Sequence, residues 1–466
     1  MAFNPLYPNS NGRRFRSLVP YNQQNQDSIA GQMLRSMRNG GYVDVVVIGD
    51  SNAGFDGSAG SRGYSGGFWE ALQDASLWNC AEYGTGLGEV AANATVDLFP
   101  FNGATGETST SRFSVTVRGT AGGTAWSRGS AMTSAGDSIY YPGTAGYSLY
   151  YPFTAPNYNV KDYAYLASTA SSVYDGTWVA LNKSASYPNA LNCEHAATFR
   201  LTYLAFASQS TAQINTWVYQ VSPLVDVAAA SISTTYNASG VPVVGSIERN
   251  YGASVGRTQL FATFATTTAN KGPVGVLFRS YYRKNTPGFS VTNLQTYAGG
   301  TSQQIGLSMS DSVGCKYTTI KTYLNELITR QKSAGGVGRV LVFCNMGTND
   351  GTANAATNYP TAADTIVSQF NKAWNELGQS PDNLAFVLTA SAAWTSFDPT
   401  QTVAALCSLY GKNPQVTVFN IDAVAPQSYL VANSYYAGNS ATPQAHLSGA
   451  GYKAVANAIL NGVASL

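Results

Sequence analysis

The sequence predicts a three-layer α/β protein: a parallel sheet wrapped by helices on both faces, with a large β domain of sandwich or jelly-roll type inserted into it. Three observations predict this. Near-continuous apolar runs, the mark of strands covered on both faces, alternate with helically spaced segments at the two ends of the chain. Between Asp97 and Pro287 the texture changes to short alternating segments separated by Gly, Asn, Ser and Pro, the pattern of antiparallel strands. The apolar runs also end in small polar clusters, where sheets of this kind bind their ligands.

The elements follow in order. Arg13, Arg14, Arg16, Arg35 and Arg38 stand against Asp27 in the first 40 residues, a basic arm that is either a solvated extension or a segment docking on a partner protein. Asp27 and Ser28 can cap a helix with Ile29, Met33, Leu34 and Met37 on one face, which Asn39-Gly40-Gly41 stops. Val43 to Ile48 is a β-branched strand ending in Gly49-Asp50-Ser51-Asn52. Phe68 to Ala75 reads as a helix, and Leu77 to Tyr83 as a further buried or extended strand. Alternation then takes over in Phe113 to Val117, Phe199 to Tyr203, Ile214 to Tyr219, Leu260 to Phe264 and Val276 to Phe278.

After Pro287-Gly288 the α/β pattern resumes. A strand from Phe289 to Leu294 runs into Ala298-Gly299-Gly300-Thr301-Ser302, and a helix follows with Ile320, Tyr323, Leu324, Leu327 and Ile328 in register. Next come a strand from Val337 to Phe343, a helix with Ile366, Phe370, Trp374 and Leu377 in register, and a strand from Leu384 to Leu388. A helix around Val403 to Tyr410, a strand from Val416 to Ile421 and a helix from Ser448 to Gly462 complete the series. The expected domains are therefore 1–40 (basic arm and helix), 41–96 (first part of the sheet domain), 97–287 (inserted β domain) and 288–466 (second part).

At 466 residues the chain is long enough for two or three domains. Only 11% of it is charged, against about 25% in an average soluble domain, with Gly, Tyr, Ser, Thr, Ala and Asn in their place. That composition suits a β-rich, loop-rich surface outside a cytoplasm. A net charge of +2 excludes a nucleic-acid binder relying on an overall basic field. No apolar run approaches the ~18 residues of a membrane span, and Met1 to Pro5 do not open a signal peptide, so no membrane partner is expected. Cys80, Cys193, Cys315, Cys344 and Cys407 are odd in number and free of CxxC spacing, which points to neither a disulfide framework nor a zinc site. No metal or cofactor motif is present.

Three strand ends carry residues suited to chemistry. Ser51, between small residues at a strand-to-helix turn, can present its hydroxyl into a crevice. Gly347-Thr348-Asn349-Asp350 can place an uncharged amide donor there. His446 lies just before the final helix; the other histidine, His195, lies in the insert beside Glu194 and reads as structural. A nucleophile, a base and donors for an oxyanion are what serine hydrolysis requires.

In order and context these three blocks resemble the SGNH hydrolases, the GDSL-type esterase and lipase superfamily, over about the first 90 residues and everything after about residue 290. The resemblance implies Ser51 as nucleophile, His446 as general base and Asn349 as an oxyanion donor. It also implies a glycine N–H in the oxyanion hole. Gly300 is favoured because a helix follows it and supplies positive dipole to the same spot; Gly86, in Gly84-Thr85-Gly86, is the alternative.

One departure matters. The family places an aspartate three residues before the histidine, and here that residue is Pro443, flanked by Thr442 and Gln444. Either Ser51 and His446 work as a dyad, with a carbonyl or Thr442 holding the ring, or the site has decayed. Asp422, at a strand end, is a distant candidate for the missing acid.

The expected activity is ester hydrolysis, with O-acetylated cell-surface or capsular polysaccharide as substrate and with Trp126, Trp178 and Trp217 as candidate sugar platforms or core residues. The alternative is a structural or receptor-binding virion component with a weakened or inactive site. Low charge, Ser/Thr/Gly/Tyr richness and the basic arm resemble phage tail fibre, tailspike or capsid decoration proteins. On that view the arm docks on other virion proteins, the location is a virion or extracellular surface, and a homo-oligomer is an open reading.

Overall fold

Val43–Asp50 forms strand β1, and its apolar, β-branched sequence is buried along its whole length. In the computed structural model β1 lies between β2 (Phe289–Tyr297) and β3 (Val340–Met346), with β4 (Leu384–Ala390) and β5 (Val416–Val418) beyond β3. Every pairing in this series is parallel. The order β2-β1-β3-β4-β5 reverses direction between β1 and β3, and the crevice beyond the carboxyl ends of those two strands is where such a sheet binds ligands.

The structure describes residues 28–54, 63–72, 82–87, 288–297, 300–308 and 314–466, together with a series of strands between 113 and 282. The chain divides into two compact units, one of residues 1–83, 284–311 and 320–466, the other of residues 84–283 and 312–319. The parallel sheet belongs to the first. Helices around it include, in chain order, α1 (Ile29–Arg38), α2 (Ser51–Gly54), α3 (Gly63–Leu72), α4 (Ser302–Ser308), α5 (Gly314–Ser333, in this unit from residue 320), α6 (Gly351–Glu376), α7 (Thr400–Tyr410) and α8 (Gly449–Ala464).

Alternate side chains of the sheet serve two cores. Val45, Val47, Phe343 and Val387 pack with residues of α1, α3 and α8. Phe68 meets Phe343 edge-on at 4.5 Å, and Tyr64 meets Tyr452 edge-on at 5.0 Å. On the opposite face α6 covers the sheet: Phe370 stands edge-on to Phe386, and the Tyr359 hydroxyl donates to the Cys344 and Thr389 carbonyls at 2.8 and 3.1 Å. Far from the carboxyl ends, the fully buried Asp44 accepts from Ser290 Oγ and Gln331 Nε2, a structural tie between β1, β2 and α5.

Several boundaries differ from the expected ones. Strand β5 stops at Val418 instead of Ile421, because Asn420 caps a new helical turn by accepting the Asp422 N–H. Helix α3 covers Gly63–Leu72 instead of Phe68 to Ala75, and the strand expected at Leu77 to Tyr83 is found at Glu82–Leu87.

The second unit pairs its strands antiparallel, as period-two alternation requires. Residues 198–205 pair with 243–250 and with 274–282, and 212–220 pair with 258–266. Residues 113–117 pair with 177–181, and 84–87 pair with 279–282. This unit begins at Gly84, upstream of the Asp97 boundary drawn from composition. The basic arm up to residue 27, His195, Trp126, Cys80, Cys193, Asp97 and Pro287 lie outside the described residues. Among the described residues, no helix is long and apolar enough to cross a membrane.

Candidate active site

Three chain segments meet at the carboxyl ends of β1 and β3. Gly49 pairs with Asn345 across the two strands, so both chains leave the sheet at the same level. A side chain at Gly49 is impossible, since a Cβ there would stand 2.0 Å from the Asn345 carbonyl oxygen. Ser51 follows as the first residue of α2 and is only 6% exposed. Its Oγ is 2.7 Å from Nε2 of the half-buried His446, 395 residues away in sequence. When Nε2 accepts the hydrogen bond from the Ser51 hydroxyl, the neutral ring carries its hydrogen on Nδ1.

A backbone ribbon holds His446 at that place. Its carbonyl accepts the Ala437 N–H at 3.0 Å, Leu447 bridges Tyr436, and the Ser448 N–H donates to the Tyr435 carbonyl at 2.7 Å. Ser448 then caps α8 by accepting the Gly451 N–H. The buried Tyr436 anchors the other side of the ribbon by donating its hydroxyl to the Ala393 carbonyl.

Three residues before His446, the Pro443 carbonyl accepts from Thr395 Oγ1 at 3.4 Å. The Thr442 N–H closes a turn onto Ser440 Oγ. Asp422 is half-buried and its carboxyl is raised above the usual range, first by burial and then by the charge of Asp398, with the Gln427 N–H opposing.

The donor side is built by the turn after β3. Gly347 takes φ +113°, a backbone conformation that suits glycine, and the turn presents an exposed Asn349 between the buried Thr348 and Asp350. Asn349 Nδ2 donates to the carbonyl of the buried Gly300 at 3.0 Å, which engages one amide hydrogen and leaves the second for a ligand oxygen. Gly86 instead stands opposite Ser280 within the antiparallel pairing of the second unit. The helix dipole expected behind Gly300 meets a carboxylate of the chain itself: Asp350 Oδ2 accepts the Ser302 N–H at 2.8 Å.

Two residues that sequence reasoning did not single out tie the segments together. Asn52 Nδ2 donates to Thr348 Oγ1 at 3.3 Å, and the Tyr452 hydroxyl donates to Asn52 Oδ1 at 2.6 Å. The nucleophile turn, the Asn349 turn and the helix after His446 thus share one buried amide. Its signal in the sequence is only adjacency to Ser51, where an asparagine passes for ordinary turn chemistry. Beside it, burial pushes the Asp50 carboxyl up to about 7; the Asn52 N–H opposes that shift and the charge of Asp350 adds to it. Among the described residues, no group of three or more His, Cys, Asp or Glu is placed to hold a metal ion.

No protein-family model matches the chain, and no curated protein matches it. Among solved structures it is similar to a peptidoglycan O-acetylesterase at 12% identity, covering 95% of this chain and 97% of that one with a TM-score of 0.47. It is also similar to an acetyl xylan esterase, Est2A, from the rumen bacterium Butyrivibrio proteoclasticus (9% identity, 48% of this chain, 78% of that one, TM-score 0.17). A family two carbohydrate esterase from Cellvibrio japonicus gives 10% identity, 55% and 81% coverage and a TM-score of 0.17. These likenesses are too distant to assign a fold or a chemistry, and both rest on the geometry above.

Proposed function

We propose that the chain is a serine ester hydrolase of SGNH type. The observation that carries this reading is the 2.7 Å approach of Ser51 Oγ to His446 Nε2 at the β1–β3 switch point, beside an exposed Asn349 amide. Ser51 Oγ attacks the acyl carbon as its proton passes to His446 Nε2. The oxyanion is held by Asn349 Nδ2–H, the Gly300 N–H and the Ser51 N–H. Collapse expels the alcohol, which takes the proton back from His446, and a water activated by the same imidazole releases the acid and restores Ser51.

With Pro443 where the resemblance expects the orienting acid, no carboxylate three residues before His446 aims its ring, and loss of that carboxylate in a serine triad costs ~10⁴ in rate. The backbone ribbon around His446 supports a working site over a decayed one, because it fixes the segment that brings Nε2 within 2.7 Å of Ser51 Oγ.

The substrate class we propose is an acetyl ester on cell-surface or capsular polysaccharide. What favours it is a β unit, read as a sandwich, whose sequence is rich in Tyr and poor in charge. A second reading, a structural or receptor-binding virion protein with a weakened or inactive site that docks through its basic arm, rests on the low charge, the Ser/Thr/Gly/Tyr richness and the arm. Electron microscopy of a source particle tests it.

The enzyme reading is tested by hydrolysis of p-nitrophenyl acetate. Turnover that falls to the buffer rate in both Ser51→Ala and His446→Ala supports it. Turnover unchanged in folded Ser51→Ala refutes it.

A further inference from the structure

We propose that Asp350 is a positioning residue of the oxyanion hole, holding the Gly300–Ser302 turn so that the Gly300 N–H faces the acyl oxygen. The proposal rests on the hydrolase reading above and adds a residue to it. Asp350 is 8% exposed, and both of its oxygens are used. Oδ2 accepts the Ser302 N–H and the Ser302 Oγ–H, each at 2.8 Å, while Oδ1 accepts from Asn358 Nδ2 at 2.9 Å. The preceding residue, Asn349, grips the other end of the same turn through the Gly300 carbonyl.

Two consecutive side chains of one loop therefore fix three residues at the start of a different helix, beyond the end of β2. The Asn349 bond sets the Gly300–Thr301 peptide plane, because a carbonyl and the next N–H share it. The Asp350 bonds set the Thr301–Ser302 plane in the same way. Two torsions, ψ and φ of Gly300, then separate a fixed plane from the N–H that binds the oxyanion. Glycine at that position has no side chain to steer them, so its neighbours must hold the turn. Bonds to a buried carboxylate are the strong class, and Asn358, in α6, aims that carboxylate.

Asp350→Asn keeps an oxygen for the Ser302 donors, and a turned Asn358 amide can accept from its NH2, so this variant removes the charge; Asp350→Ala removes the bonds as well.

The test measures p-nitrophenyl acetate hydrolysis by Asp350→Asn, Asp350→Ala and Ser302→Ala, with active sites counted by a phosphonate that labels Ser51. Removal of a whole oxyanion donor costs ~10²–10³ in kcat, and a misdirected one is expected to cost ~10-fold or more with KM within about twofold. Ser302→Ala, which keeps the N–H bond, is expected to lose less. Combining Asp350→Ala with Asn349→Ala is expected to cost less than the product of the two single losses, since both act on one turn.

A merely structural Asp350 lowers the number of titrated sites and the melting temperature but leaves kcat per site unchanged, and that result overturns the proposal. Should the Asp350 variants not fold, Ser302→Ala decides: a lower kcat per site sustains the proposal, and an unchanged one overturns it. A wild-type chain without Ser51-dependent turnover removes the hydrolase reading and this proposal together. Wild-type turnover matched by every variant removes this proposal alone.

Discussion

At the scale of single residues, the site sets a carboxyl group where it cannot readily ionise. Asp50 is fully buried next to Ser51, accepts the Asn52 N–H, and is pushed by burial from 3.8 up to about 7. In the unfolded chain this group loses its proton near pH 4, while in the folded chain it keeps it until about pH 7. The folded state therefore binds the extra proton across that window, and stability falls as pH rises through it. The displacement corresponds to up to ~4 kcal/mol, fully lost above about pH 7. Asp50→Asn, which still offers an oxygen to Asn52, is expected to match the wild type near pH 4 and to exceed its stability by a few kcal/mol at pH 8. Urea denaturation at both pH values checks this, and parallel behaviour of the two proteins would refute it.

At the scale of elements, the histidine depends on how α8 begins. Ser448 accepts the Gly451 N–H as N-cap and sits two residues after His446 in the ribbon that holds the ring. Ser28 caps α1 in the same way, accepting the Gly31 N–H, and bonds Thr417, but touches nothing at the site. Ser448→Ala and Ser28→Ala are each expected to cost about 1 kcal/mol or somewhat more in stability. Only Ser448→Ala is expected to lower kcat as well. Equal kcat in the two variants would detach the cap from the histidine. Elements also differ in how plainly the sequence announces them. Strand β1 is legible because Val45 to Ile48 is an unbroken β-branched run, and α8 because a serine cap precedes a periodic apolar face. Helix α6 is legible only in its second half: it starts at Gly351, and its first turns are polar and run into Pro360, a residue that normally ends a helix. Tyr359 restores the hold there by bonding two strand carbonyls, a tertiary effect that local pattern does not carry.

At the scale of the whole molecule, one topological fact organises the site. The sheet order reverses between β1 and β3, so the turns after these strands face one crevice, and α8 packs close enough to deliver His446 into it. The order of the three blocks along the sequence is enough to suggest this meeting, because each block follows an apolar run or precedes a periodic helix. The braces are not legible in the same way. Asn52, Tyr452 and Asp350 are ordinary residue types: Asn52 meets Tyr452 and Thr348 at 400 and 296 positions away, Asp350 meets Ser302 at 48, and only the fold joins them. The claim on which the rest depends is that Ser51 is a nucleophile activated by His446. Reaction with a fluorophosphonate, followed by peptide mass mapping, tests it most directly, because an unactivated serine does not react. The account predicts one adduct per chain, on Ser51, lost in His446→Ala. No adduct, or an adduct elsewhere with Ser51 unmodified, would contradict it.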